Sequence, residues 1–205
     1  FFLQKEMAQA QVRLEFAAGT YDESKAPLGQ LYNEYFGGGM AGLVFQELRE
    51  ARALAYSAWA HFFTPSRPQD ENILVGAIGC QADKTIEAVN AFIELLDEMP
   101  INQTRWDSAH AAILSAYRTN PISSRSIPGF AYDFNALGLK QDPRSNRYDS
   151  LQKADIDSLR GFYEKEIQPK SILLSIVGDS KKIDLNELKK IGHLTEVKPQ
   201  QLFNR

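Results

Sequence analysis

Two kinds of hydrophobic periodicity alternate along this chain. Apolar and polar residues alternate over 10–17 and place Val12, Leu14 and Phe16 on one face, as in a half-buried strand. Apolar residues at helical spacing follow from Leu28 to Phe36, and a second helix is predicted over 40–51. Because each period buries one face only, the chain must layer helices against a sheet.

The rest of the chain continues this alternation. Two strands, over 54–64 and 73–80, flank a short loop and predict a hairpin-like pair. The continuously apolar run 171–177 predicts a central, fully buried strand. Several helices are predicted between and after these strands, marked by the apolar residues Ile86, Val89, Ile93, Leu96, Trp106, Ile113, Ile156, Leu159 and Phe162. We therefore predict an α/β fold of the α+β type, with a mixed, mostly antiparallel sheet covered by several helices in one domain, 1–205.

Composition excludes some partners. Of the 205 residues, 43% are hydrophobic and 24% charged, which is typical of a globular domain with a substantial core. The net charge is -3 and no basic stripe is present, so nucleic acid is not an expected partner. No apolar stretch approaches the roughly 20 residues that a helix needs to span a bilayer, so no membrane span is expected.

The residue types that bind metals are sparse. The histidines are His61, His110 and His193, and none has another histidine or a cysteine three to five residues away. We therefore expect no metal ligand and no cofactor in this chain. The single cysteine, Cys80, lies in an apolar run and is predicted to be a buried structural thiol.

Catalytic and phosphate-binding motifs are also missing from the sequence. No G-x-S-x-G occurs, and no G-K-[ST] follows the run Gly37–Gly39. We interpret the glycine run as a helix stop with close packing, in preference to a ligand cradle. No catalytic residue is assigned to this chain.

The segment 31–63 carries the most specific pattern. It contains Asn33, the run Phe36–Met40, the run Val44–Glu50 and the run Leu54–Ser57, in that order. This block resembles the pitrilysin/insulinase family of zinc metallopeptidases, which includes mitochondrial processing peptidase, and the resemblance extends over about 8–180. One departure is Ala53, where the family often has glycine; we expect it to cost little if the local φ is not positive.

The resemblance implies a C-terminal, non-zinc domain and a pair of substrate-binding residues. Family members hold peptide between two bowl-shaped halves, and the half without zinc contributes an arginine and a tyrosine, which are seven residues apart in several members. Arg49 and Tyr56 have this spacing. Guanidinium suits a peptide carbonyl or carboxylate, and phenol suits a developing oxyanion. The alternative is that Arg49 pairs with Glu50 and that Tyr56 is a buried strand aromatic.

The expected function follows from the same resemblance. We expect a substrate-binding, chamber-closing domain, cut from a longer multi-domain zinc endopeptidase that acts on peptides or small unfolded proteins. The resemblance implies that zinc comes from another domain or subunit. In family members the zinc motif lies on the helix after the first strand, and the corresponding helix here, around Leu31–Tyr35, has glutamate but no histidine. Such a chain should be inactive alone. Peptide could also add a strand to an exposed sheet edge.

Two alternatives remain open at this point. The chain could be an inactive scaffold, like the core subunits of the respiratory bc1 complex, which resemble this family. It could instead bind a small ligand in a pocket near Gly37–Gly39. The compartment is not fixed by one cysteine, and the bacterial periplasm or cell envelope is our expectation.

Overall fold

A six-stranded mixed sheet organises the computed structural model, which describes residues 1–168 and 171–203. The strand order across the sheet is β3-β4-β2-β5-β1-β6. The strands are β1 (Phe2–Gln4), β2 (Gln9–Thr20), β3 (Ala55–Phe63), β4 (Glu71–Gln81), β5 (Leu173–Gly178) and β6 (Glu196–Val197).

Helices connect the strands. In chain order they are α1 (Ala26–Tyr32), α2 (Leu43–Phe45), α3 (Thr85–Asp97), α4 (Gln103–Thr119), α5 (Ile127–Ala136), α6 (Arg144–Lys153), α7 (Ile156–Phe162), α8 (Leu185–Ile191) and α9 (Pro199–Phe203). Three of them, α1, α2 and α7, continue as π-helical turns over Asn33–Gly37, Gln46–Ala51 and Tyr163–Ile167. Among the described helices, none is both long and apolar enough to cross a membrane.

Strand pairing is mostly antiparallel. Strand β4 pairs antiparallel with β3 and β2, and β2 pairs antiparallel with β5. Strand β1 runs parallel to both β5 and β6. The predicted mixed, mostly antiparallel sheet is therefore confirmed, including the pairing of 54–64 with 73–80.

The core lies on one face of this sheet. In β2, Ala10, Val12, Leu14 and Phe16 are buried, whereas Gln11 and Arg13 are exposed on the other face. Strand β4 brings Gly76 under α3, where a Cβ atom would meet the Phe92 ring at 2.2 Å. The glycine thus allows a helix to approach the sheet closely enough to bury an aromatic ring.

Two predictions about strands and helices are wrong in detail. The run 171–177 is an inner strand but not a fully buried one, since Leu173 is 47% exposed. The physical reason is that helices cover only one sheet face. The predicted helix 40–51 is in fact a 3-10 turn (Gly39–Ala41), α2 and a π turn, because glycines at 39 and 42 interrupt the helical backbone.

Candidate functional site

Arg49 and Tyr56 lie on either side of one tight turn. Arg49 belongs to the π turn that follows α2, and Tyr56 is the second residue of β3. The turn closes through two backbone hydrogen bonds: Arg52 N–H donates to the Glu47 carbonyl at 3.1 Å, and Leu54 N–H donates to the Leu48 carbonyl at 2.9 Å. These bonds fix the direction in which the helix passes into the strand.

Ala53 lies at the centre of this turn with a φ of +51°. Our expectation that alanine costs little here depended on a φ that is not positive, and the structure overturns it. A side chain in the left-handed region costs about 1–2 kcal/mol, because Cβ approaches the following carbonyl. The chain therefore forms this turn at some expense in stability.

The Arg49 side chain is accessible. Its guanidinium lies 4.7 Å above the Phe45 ring, and its Nε is 3.6 Å from Glu50 Oε1. The Arg49 and Glu50 side chains are 46% and 54% exposed, and ion pairs of this kind contribute about 0–1 kcal/mol. The contact with Glu50 is thus present but weak, and the guanidinium can exchange it for a ligand.

Tyr56 is aimed out of the sheet by a β-bulge. Ala55 pairs with Cys80 and Ser57 with Gly79, so Tyr56 is the extra residue of the bulged strand. The side chain is 54% exposed, so it is not the buried strand aromatic of the alternative interpretation. Bulges often redirect a side chain next to a functional site.

A residue that the sequence did not indicate contacts the phenol. Gln81 Nε2 donates a hydrogen bond to Tyr56 Oη at 3.1 Å. Because the phenol oxygen accepts here, its own O–H stays free to donate to another group. Both residues line a hollow of about 520 Å³ that also contains Asp83 and Lys182. Gln81 is found only through the β3–β4 register, which brings the end of β4 beside the start of β3.

The outer edge of β3 is partly occupied. The Asn33 side chain behaves like a strand partner: Nδ2 donates to the Phe62 carbonyl at 3.0 Å, and Oδ1 accepts from Phe62 N–H at 2.7 Å. Next to it, Gly37 packs against Ala60 so closely that a Cβ atom would lie 1.8 Å from the carbonyl oxygen. The expected strand addition by a peptide is therefore blocked along Ala60–Phe62.

The glycine segment is filled by its own backbone. A Cβ atom on Gly38 would lie 2.9 Å from the Asn33 carbonyl oxygen, and one on Gly42 would lie 2.7 Å from the Gly38 nitrogen. This geometry agrees with a helix stop in close packing. Gly38 and Gly42 leave no space for a small ligand against the neighbouring backbone, whereas nothing lies within 4 Å of the Cβ position of Gly39.

The histidines and the cysteine are separate from one another. The His61 ring lies 4.4 Å from the Phe63 ring and is tilted against it by 58°, and burial lowers the pKa of His61. His110 stacks on Trp106 and contacts the Leu151 carbonyl at 2.7 Å, while His193 follows α8. Within 1–168 and 171–203, no three His, Cys, Asp or Glu side chains are grouped to hold a metal ion. The described residues therefore do not fit a zinc site.

Cys80 is buried beneath α3, as the sequence predicted. Its Sγ donates a weak hydrogen bond to Thr85 Oγ1 at 3.7 Å, and burial raises the pKa of the thiol. Since the thiolate is the reactive form, a raised pKa makes this residue a structural thiol.

Solved structures share this fold. The crystal structure of a peptidase M16 inactive domain from Pseudomonas fluorescens has a TM-score of 0.74 at 16% identity, over 87% of this chain and 43% of that one. A protease from Helicobacter pylori has a TM-score of 0.69 at 16% identity, over 86% of this chain and 42% of that one. A chain of complex III2 from Candida albicans has a TM-score of 0.65 at 11% identity, over 94% of this chain and 49% of that one. The present chain thus spans less than half the length of these three.

Sequence comparison assigns the family. A search of curated proteins finds no match to this chain. The family model described as the peptidase M16 inactive domain matches residues 1–113, which is more than half of the chain and includes Arg49, Tyr56 and Gln81. The resemblance to pitrilysin/insulinase-type zinc metallopeptidases is thereby confirmed. The chain belongs to the peptidase M16 family, as its inactive, non-zinc domain.

Proposed function

We propose that this chain is the substrate-binding, chamber-closing domain of a zinc metalloendopeptidase that cuts peptides or small unfolded proteins. One observation carries the proposal: Arg49 and Tyr56 are both exposed, on either side of a single turn, and Tyr56 is directed outward by a bulge. A tyrosine needed only for packing would be expected on the covered face of β3, beside Ala58, Ala60 and Phe62.

Each side chain has a distinct role in the proposal. The Arg49 guanidinium binds a peptide carbonyl or carboxylate through its fixed fork of donors. The Tyr56 O–H, left free by the bond that Gln81 donates, points its hydrogen at the oxyanion that forms on the scissile carbonyl. Zinc, held by another domain or subunit, would supply the polarised water that attacks the peptide bond.

The loss of activity expected on removing the Tyr56 hydroxyl can be estimated from oxyanion donors in other enzymes. Removing one oxyanion donor lowers kcat about 10²–10³-fold in enzymes where it has been measured. Loss of Arg49 should mainly weaken binding, because its contact with substrate exists before and during the reaction. The two residues therefore predict different kinetic signatures, in kcat for Tyr56 and in KM for Arg49.

The partner implied by this proposal is a zinc-bearing domain, in the same polypeptide or in a second chain. The 43% coverage of the Pseudomonas fluorescens structure supports a larger assembly, since more than half of that chain lies outside the match. The described residues here contain no grouped metal ligands, which also supports a separate source of zinc.

A complementation assay tests the proposal. The 205-residue chain is prepared alone and together with a zinc-bearing domain of the family, and zinc content and hydrolysis of a fluorogenic peptide are measured. We expect neither stoichiometric zinc nor hydrolysis with the chain alone, and hydrolysis with both. Stoichiometric zinc and peptide cleavage by the chain alone would contradict the proposal.

A structural scaffold is the second candidate function. It is favoured by the fold match over 94% of this chain to a subunit of complex III2 from Candida albicans. The two candidates differ in what Arg49 and Tyr56 do. A scaffold predicts that the substitutions Arg49→Ala and Tyr56→Phe change neither turnover nor peptide affinity in the assembled protein.

A further inference from the structure

A large cavity lies at the far end of β3 from Tyr56. Its volume is about 1020 Å³; it is partly open to solvent and is lined by residues of α1, α4, α5 and α6 and by Phe62–Thr64. Ligand sites in proteins typically have volumes of about 300–1,000 Å³, so the cavity can hold a small molecule or a short peptide end. Phe63 lies seven positions after Tyr56 in β3, which corresponds to roughly 23 Å.

Aromatic rings form two walls of this cavity. On one side, Tyr117 of α4 and Tyr148 of α6 lie with their ring centroids 6.1 Å apart. On the other side, Phe130 and Phe134 of α5 are 5.9 Å apart. Helix α5 buries none of its residues, although it carries several large apolar side chains. Its apolar side chains thus face the cavity or solvent, in place of the core.

The charged groups of the cavity are not equally available. Arg147 makes a two-point ion pair with Glu23, at 2.6 and 2.7 Å, and Arg144 is bound by Asp142 in the same manner. Arg118, which lines the cavity at the end of α4, forms no ion pair with any residue that the structure describes.

The Arg118 guanidinium has a defined position. It lies 5.9 Å from the centroid of the Tyr148 ring, which supports it from one side. The carboxylate of Glu34 lines the cavity on the helical turn after α1, whereas Gln30, one turn earlier, is bonded by Tyr117. An anionic ligand group is therefore favoured beside Arg118 and disfavoured beside Glu34.

We propose that this cavity binds a carboxylate carried on an apolar group, with the carboxylate at Arg118 and the apolar part between the α5 rings and the two tyrosines. Arginine and carboxylate pair through two parallel hydrogen bonds, and aromatic walls bury the attached hydrocarbon. The proposal concerns a site separate from Arg49 and Tyr56, and it stands whether or not the proposed function holds.

Two sources could supply this chemistry, the C-terminal end of a peptide and a fatty acid. Isothermal titration calorimetry of the 205-residue chain with three probes separates them: N-acetylphenylalanine, octanoate and the uncharged N-acetylphenylalaninamide. We expect at least one carboxylate to bind, and the amide to bind at least about tenfold more weakly than N-acetylphenylalanine if the source is a peptide end. Tighter binding of N-acetylphenylalanine identifies a peptide end as the source, and tighter binding of octanoate identifies a fatty acid.

Variants locate the binding. Arg118→Gln should weaken carboxylate binding by about tenfold or more, since the guanidinium is exposed and its loss leaves the fold intact. Arg160→Gln is the matched control, because Arg160 lies on α7 and outside this cavity, and binding should be unchanged. Phe134→Ala should weaken binding of every probe. The proposal is overturned if neither carboxylate binds, or if Arg118→Gln binds the preferred carboxylate as tightly as the unmodified chain.

Discussion

The contact between Gly37 and Ala60 makes a sharp prediction about stability. In Gly37→Ala, the new methyl would lie 1.8 Å from the Ala60 carbonyl oxygen and 2.6 Å from its carbon. Real Cβ atoms essentially never approach closer than 3.0 Å, so the π turn and β3 must separate by more than 1 Å. Strand β3 cannot easily yield, because Ala60 is paired with Gly76 of β4.

The size of the destabilisation by Gly37→Ala follows from the contacts that this separation breaks. Forcing an extra methyl into a packed site costs about 1–3 kcal/mol. The two hydrogen bonds between Asn33 and Phe62 lie beside the clash, and each contributes about 1 kcal/mol. We therefore expect Gly37→Ala to lower the free energy of unfolding by about 3–5 kcal/mol. For a chain of this size that corresponds to a fall in Tm of roughly 6–20 °C.

Urea and thermal unfolding followed by circular dichroism measure this change. Gly129→Ala in α5 is the matched control, because nothing lies within 4 Å of the position a Cβ would take there. The control should be unchanged or more stable by up to about 1 kcal/mol, since alanine favours a helix. If Gly37→Ala unfolded within about 0.5 kcal/mol of the unmodified chain, the described packing of the glycine segment would be wrong.

Three further changes probe other parts of the molecule. Tyr32→Phe should raise the free energy of unfolding by about 1–2 kcal/mol, because the Tyr32 hydroxyl is fully buried and has no hydrogen-bond partner among the described residues. A lower Tm in a thermal melt would instead show that the hydroxyl has a partner. Ala53→Gly should stabilise the chain by up to about 1 kcal/mol in urea unfolding, since the turn needs a positive φ, and a loss would contradict the strained turn. Gln81→Glu should lower the kcat of the assembled peptidase about as much as Tyr56→Phe does, because the new carboxylate would accept the phenolic hydrogen of Tyr56. An unchanged kcat would show that Gln81 does not orient Tyr56.

The hydrophobic pattern of the sequence was sufficient to predict the long strands that make up most of the sheet. Strands β2, β3 and β4 are nine to twelve residues long, so alternation could mark β2 and β3 and a continuous apolar run could mark β4. Strands β1 and β6 have only three and two residues and escaped prediction, since so short a segment has no measurable period. The exposure of Leu173 depends on which sheet face the helices cover, and this is a property of the tertiary structure.

The candidate site also has features that the sequence could predict and features that only the tertiary structure shows. The spacing of Arg49 and Tyr56 could be read from the sequence through the family resemblance, whereas the bulge at Tyr56 exists only in the β3–β4 register. Gln81 becomes visible through the same register. The positive φ of Ala53 was not evident either, because alanine gives no local signal for a left-handed turn.

The most direct test of the central claim is the steady-state kinetics of Tyr56→Phe in the complete peptidase that carries this domain. Tyr132→Phe is the control, because Tyr132 is a tyrosine on α5 that is still more exposed than Tyr56. Tyr56→Phe should lower kcat about 10²-fold or more, with zinc content and KM nearly unchanged, whereas Tyr132→Phe should stay fully active. An unchanged kcat in Tyr56→Phe, in a peptidase that is otherwise active, would show that Tyr56 does not stabilise the oxyanion.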